Sequence, residues 1–110
     1  MNNNFSNLSV VIVTYKTELN ILEKCLSSID PSIKIIIVEN SSKFLNEDQI
    51  GNKYKNVSIF CTGGNIGYGR GNNYGLQKVD TKYALILNPD IICEKNYFEN
   101  IKIYLNGELD

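Results

Sequence analysis

The 110-residue chain carries a net charge of −1, with 43% apolar and 21% charged residues, which fits one small globular domain. Interspersed acids and bases exclude the clustered Lys/Arg face of a nucleic-acid binder, and the absence of histidine excludes Ser–His and Cys–His nucleophile pairs and histidine metal sites. No apolar run approaches the roughly 18 residues of a membrane span, and the N-terminus lacks the charged start and apolar core of a signal peptide, so a cytoplasmic chain is expected.

Residues 1–7 are mostly polar and are expected to be disordered, leaving residues 8–110 as the domain. Leu8 to Tyr15 is nearly continuous and β-branched, the pattern of a strand buried on both faces of a parallel sheet. A helix is expected from about Thr17. Leu19, Leu22, Leu26 and Ile29 recur at helical spacing, Ile21 and Cys25 widen the stripe, and Asp30-Pro31 stops it. Ile33 to Glu39 reads as a second buried strand that ends in the polar turn Asn40-Ser41-Ser42. Asn46 to Tyr54 suggests a short helix and Val57 to Cys61 a third strand. A helix through about Val79, a strand over Tyr83–Leu87 and a last helix over Lys95–Leu105 complete the series. Alternating strands and helices on short links imply an α/β fold of three layers, α/β/α, around a mainly parallel sheet.

Cys25, Cys61 and Cys93 are odd in number, far apart and set among apolar neighbours. Free buried thiols are expected, without a metal role. Chemistry must therefore rest on carboxylates, amides, hydroxyls and backbone.

The candidate functional segments all fall at the carboxyl ends of the expected strands, the edge at which open α/β sheets bind ligands. The densest is Gly63 to Gly75, which holds six glycines and three asparagines in thirteen residues. Glycine permits positive φ and close approach of backbone to a ligand, whereas the bland alternative is a turn with close helix–sheet packing. A dinucleotide fingerprint is a poor match, because Asn72 stands where the last glycine of G-x-G-x-x-G would be. Asn88-Pro89-Asp90 follows the fourth strand. Asp90 suits either a helix N-cap or, beside the Asn88 amide, a hydrated Mg²⁺ or Mn²⁺ whose other ligands are phosphates. Glu39 suits either solvated surface or a ribose or base contact.

Four segments in this order resemble the family 2 glycosyltransferases, and within them a rhamnosyltransferase-like branch: Ser9–Tyr15, Ile36–Ser42, Asn65-Ile66-Gly67-Tyr68-Gly69 with Asn73 and Gly75, and Leu87-Asn88-Pro89-Asp90. The resemblance covers about residues 8 to 95 and implies the N-terminal, nucleotide-binding half of a GT-A fold. It implies that Thr14, Tyr15 and Glu39 hold the nucleoside of a sugar nucleotide. Asn65, Gly67 and Asn73 would shape the loop beside nucleotide and sugar. Asp90 would bind Mg²⁺ or Mn²⁺ at the diphosphate, with Asn88 standing beside it in place of the usual first Asp, and Glu39 likewise replaces an Asp. The implied reaction is inverting transfer from a nucleoside-diphosphate sugar to a saccharide or lipid-linked acceptor, at the inner face of the membrane in the complete protein. A general base is expected beyond residue 110, since Glu94 and Glu99 lie too near the metal motif. The chain is then a truncated domain, with little or no transfer of its own, and exposed apolar surface is expected to drive homo-oligomerisation. A non-catalytic nucleotide-binding or interaction module with the same half fold is the alternative.

Overall fold

The computed structural model describes residues 5–103 and residue 105. Eight elements alternate along the chain: β1 (Leu8–Thr14), α1 (Leu19–Ser27), β2 (Lys34–Glu39), α2 (Glu47–Lys53), β3 (Val57–Cys61), α3 (Tyr68–Leu76), β4 (Tyr83–Leu87) and α4 (Tyr97–Ile103). The strands form one parallel sheet of order β3-β2-β1-β4. β1 is buried along its whole length and β2 everywhere but Lys34, which is why both read as continuous apolar runs.

Alternation along the strands divides the core in two. Val10, Ile12, Ile35 and Ile37 pack with Leu22, Cys25 and Leu26 of α1, Ile50 of α2 and Phe98 of α4. Val11, Val13, Ile36 and Val38 point to the other face, where Tyr74 of α3 and Val79 pack on them. The three-layer α/β/α arrangement follows. α3 can lie close because two of its glycines face the sheet. A Cβ on Gly75 would meet Val11 Cγ1 at 2.6 Å, and one on Gly71 would meet Val13 Cγ1 at 3.0 Å. For these two glycines the packing reason is sufficient.

Several bounds differ from the sequence expectation for local reasons. α1 ends at Ser27 rather than Ile29, since the N–H of Ser28 bonds to the Cys25 carbonyl and that of Ile29 to the Leu26 carbonyl, and this tightened turn carries Ile29 into the core. α3 ends at Leu76, and Lys78 and Val79 continue as i→i−3 turns. α4 occupies only the middle of Lys95–Leu105; Leu105 packs on the core, and Tyr104 lies outside the described residues. Residues 1–4 of the stretch expected to be disordered also lie outside them. Phe5 to Asn7, by contrast, are fixed: Phe5 is buried edge-on against Phe98 at 6.1 Å, and Tyr83 donates its N–H to the Asn7 carbonyl. Burial of one aromatic ring outweighs the polar composition around it.

The chain winds outward from β1 through β2 to β3, then crosses back to set β4 on the other side of β1. This reversal places a topological switch point at the carboxyl ends of β1 and β4. On β4, Leu87 is buried while Ile86 is 42% exposed, because α3 covers β1 and β2 and leaves that face of β4 bare.

Candidate functional site at the carboxyl edge of the sheet

The parallel register sets Thr14 beside Glu39 and Glu39 beside Cys61. Four strand-end segments therefore converge on one edge: residues 14–17, 39–42, 62–67 and 88–90. Two adjacent side chains at the end of β2 tie the edge together. Glu39, 1% exposed, turns toward the β1 loop; its Oε1 accepts from the Thr14 hydroxyl at 2.6 Å, and its Oε2 accepts from the Ser41 hydroxyl at 2.6 Å and the Lys16 N–H at 3.2 Å. Asn40 turns toward the glycine loop, where its amide donates to the Gly67 carbonyl at 2.9 Å and its oxygen accepts from the Thr62 hydroxyl at 3.0 Å.

The loops so held have unusual backbone. Lys16 has φ 52°, among the described residues the one non-glycine in the left-handed region, and Gly67 has φ 93° at the N-cap of α3. Asn65 closes the glycine loop as an Asx turn, its Oδ1 accepting from the Gly67 N–H at 3.0 Å. Here opens a cavity of about 370 Å³, lined among others by Lys16, Thr17, Glu39, Ser41, Lys43 and Phe44. Lys16 and Lys43 give its wall a positive character suited to an anionic ligand.

Across the switch point, the Tyr68 hydroxyl at the start of α3 donates to Asn88 Oδ1 at 2.7 Å. Asp90 is exposed and has no side-chain hydrogen bond or ion pair among the described residues. No group of three or more His, Cys, Asp or Glu side chains that could enclose a metal occurs among them either. A lone free carboxylate fits a hard divalent cation that takes its remaining ligands from phosphate and water, and does not fit an all-protein metal cage. Beneath this turn lies Cys25, whose thiol donates to the Asn88 carbonyl at 3.9 Å. Burial first, then Cys93 and Asp90, push the Cys25 thiol up to about 11, and burial raises Cys93 as well. Both are free and buried, so they are inert as nucleophiles at neutral pH.

Measured against the expected site, Thr14 and Glu39 do come together, but on each other. Tyr15 is 51% exposed beside the cavity residues Lys16 and Thr17. Asn65 and Gly67 shape the loop, and Asn88 and Asp90 share the turn after β4. Asn73 stands on the exposed side of α3, whereas its neighbour Asn72 is 7% exposed with Oδ1 unpartnered among the described residues. Lys16, Asn40, Thr62 and Tyr68 complete the arrangement and were not singled out from the sequence. Adjacency to Glu39 was the one available signal for Asn40; nothing local marks Lys16 for a left-handed conformation.

A low-salt glycan biosynthesis hexosyltransferase, Agl10, of Haloferax volcanii is 34% identical over 92 residues, covering 80% of this chain and 29% of that protein. The minor teichoic acid biosynthesis protein GgaB of Bacillus subtilis is 29% identical, over 84% of this chain and 11% of its own length. The dTDP-rhamnosyl transferase RfbF of Shigella flexneri is 25% identical, over 94% of this chain and 36% of its own. The chain thus spans about a third or less of the length of these relatives. Among solved structures, S. aureus TarS 1–349 in complex with UDP superposes with a TM-score of 0.75 at 19% identity, over 91% of this chain and 32% of that one, a likeness of fold. With the glycosyl transferase family 2 model matching residues 9–106, nearly the whole sequence, the chain belongs to that family.

Proposed function

We propose that this chain carries the donor half-site of an inverting glycosyltransferase, which moves a sugar from a nucleoside diphosphate to a saccharide or lipid-linked acceptor. The observation that carries the reading is the convergence of four strand ends at a switch point, beside a cationic cavity of about 370 Å³. In this reading the nucleoside enters the cavity beside Tyr15, Lys16 and Thr17. The diphosphate runs toward the switch point, between the Gly67 loop and the Asn88–Asp90 turn. Asp90 is the residue that holds Mg²⁺ or Mn²⁺, and Asn88, engaged by Tyr68, positions the turn. When bound, such an ion stabilises the charge gathering on the departing nucleoside diphosphate. The acceptor hydroxyl is deprotonated by a carboxylate from a part of the protein outside this stretch.

The rhamnosyltransferase-like motif form, together with the likeness to a dTDP-rhamnosyl transferase, makes dTDP the first donor nucleotide to test. No helix among the described residues is long and apolar enough to cross a membrane, and the reading places the chain in the cytoplasm at the inner membrane face. Bare apolar surface on β4 and around Ile92, which is 61% exposed, supports association with a second copy; a clean monomer in concentrated sedimentation runs overturns that part. The lone Asp90 carboxylate favours one second reading, a non-catalytic nucleotide-binding module with the same half fold.

Calorimetric titration with dTDP, UDP and GDP, each with and without Mn²⁺, tests the proposal. Expected is Mn²⁺-dependent binding of one nucleotide, abolished in Asp90→Ala. Binding that ignores both metal and Asp90→Ala removes the metal role and supports the module reading. No binding of any nucleotide overturns the half-site as an independent unit.

A further inference from the structure

A second cavity, of about 300 Å³, opens toward the amino ends of the strands, beside α3, which packs chiefly on β1 and β2. Three lysines scattered through the sequence line it: Lys34 on β2, Lys55 before β3 and Lys78 after α3. The backbone that carries each is fixed. Lys34 pairs in register with Ser9 of β1. Asn56 pins the turn that bears Lys55, its amide donating to the Ile33 carbonyl at 2.8 Å and its own carbonyl accepting from the Ile35 N–H at 2.9 Å. The Lys78 N–H closes on the Gly75 carbonyl at 2.9 Å, and its ammonium lies over the Phe60 ring at 5.0 Å and the Tyr74 ring at 5.3 Å.

One carboxylate on the cavity wall answers these three cations. Asp80 takes Lys34, at 3.2 Å. Lys55 and Lys78 have no carboxylate partner among the described residues. The rings steer Lys78 without cancelling its charge. The Ser58 hydroxyl, also on the wall, has no hydrogen-bond partner among the described residues, whereas the buried Ser9 hydroxyl is engaged with that of Thr81 at 2.7 Å. Three lysines against one aspartate leave an excess of two positive charges in one hollow of a chain whose net charge is −1. Like charges so gathered repel, and a bound anion relieves the repulsion.

We propose that this cavity is an anion site for a phosphate group, bound by the Lys55 and Lys78 ammoniums and the Ser58 hydroxyl, with Asp80 as the competitor that keeps Lys34 occupied. Two free ammoniums and a hydroxyl donor match the charge and the acceptor oxygens of a phosphate. The inference is independent of the donor-site reading, because none of these residues belongs to the four strand-end segments at the carboxyl edge. A soluble phosphorylated molecule and a lipid headgroup both present this group.

The ¹⁵N-labelled 110-residue chain is titrated at low, constant ionic strength with inorganic phosphate and with glycerol 3-phosphate. Its retention on phosphatidylcholine vesicles, with and without phosphatidic acid, is measured in parallel. Saturable amide shifts at Lys55, Ser58 and Lys78 are expected, with Kd of about 1 mM. Lys55→Gln/Lys78→Gln is expected to weaken binding by about tenfold or more. Lys24→Gln/Lys82→Gln removes the same charge from exposed lysines outside the cavity and is expected to change affinity by less than about twofold. Asp80→Asn releases Lys34 and is expected to tighten binding by about threefold. Saturation by free phosphate assigns a soluble ligand. Retention on phosphatidic acid vesicles alone, with the same dependence on Lys55 and Lys78, assigns a headgroup. Equal losses in the two double variants reduce the effect to overall charge and overturn the site, as does the absence of both saturation and vesicle retention. If Lys55→Gln/Lys78→Gln does not fold, Asp80→Asn decides alone, and unchanged or weaker binding overturns the proposal.

Discussion

The Tyr68 hydroxyl donates to Asn88 Oδ1 at 2.7 Å, joining the first residue of α3 to the turn that follows β4. The contact spans the switch point and engages the side-chain oxygen that, under the proposed metal reading, Asn88 would offer beside Asp90. Asn88 is neutral, so the turn carries one carboxylate.

Asn88→Asp tests what that neutrality costs. An aspartate keeps an acceptor for Tyr68 and strengthens the bond by its charge. It also gives the turn a second carboxylate for a divalent cation. Mn²⁺-supported nucleotide affinity is expected to rise by about tenfold, the scale of one charged contact. Unchanged affinity in paired titrations with and without Mn²⁺ would count against a metal site at this turn. The complementary Tyr68→Phe removes an exposed bond, and the unfolding free energy from urea titration is expected to fall by no more than about 1 kcal/mol.

The glycines of residues 63–75 divide by what lies opposite each. Gly75 faces Val11 Cγ1 at 2.6 Å and Val38 Cγ2 at 3.0 Å from the place of a Cβ, whereas Gly69, in the same helix, has nothing within 4 Å. Gly75→Ala must displace α3 or a stiff β-branched neighbour, a loss of about 1–3 kcal/mol that exceeds the gain in helix propensity. Gly69→Ala meets open space and is expected to gain about 0.5 kcal/mol by restricting the unfolded chain. Chemical denaturation of the two variants side by side checks this; equal effects would mean that α3 does not lie on the sheet through Gly75.

The strands were legible because each is a short, mainly apolar run cut off by polar turns, β-branched throughout most of β1 and β2. Val57–Cys61 and Tyr83–Leu87 fall where the pattern places them, and the strand-end rule marks the edge where the motifs converge. The partners of those motifs were not legible. Glu39 read alone offers a carboxylate to a ligand, and only the register that sets it beside Thr14, 25 residues away in sequence, shows that it is already engaged. The choice between Asn72 and Asn73 depends on the rotation of α3, which packing of Gly71 and Gly75 decides. Phe5 was hidden by the polar residues around it, since its partner Phe98 belongs to the far end of the chain.

Lys16 offers a direct reading of backbone strain. Its φ of 52° costs a lysine and not a glycine, while the N–H bond to Glu39 survives the change. Lys16→Gly is expected to raise the unfolding free energy from urea titration by about 0.5–1 kcal/mol, net of the greater entropy that glycine brings to the unfolded chain. It should also weaken nucleotide binding, because a cation leaves the cavity wall. A variant destabilised by the change would indicate that the Lys16 side chain, packed over the Tyr15 ring at 5.3 Å, contributes more than the strain costs.

Cys25 links the site to pH. Its thiol is raised to about 11 chiefly by burial, so the folded state keeps a proton that the unfolded chain releases at the ordinary thiol value. Between those two values the native state binds more protons than the unfolded state, and stability falls as pH rises. The contribution is fully present below the ordinary thiol range and is lost toward about 11. Urea midpoints at about pH 8 and about pH 10.5 should therefore drop in the wild type and drop less in Cys25→Ala, which lacks the group. The comparison removes the titration of lysines and tyrosines, common to both proteins. Native thiol labelling gives an independent check: half-buried Cys61 reacts before Cys25, and rapid modification of Cys25 in the folded chain would contradict its burial beneath the Asn88 turn.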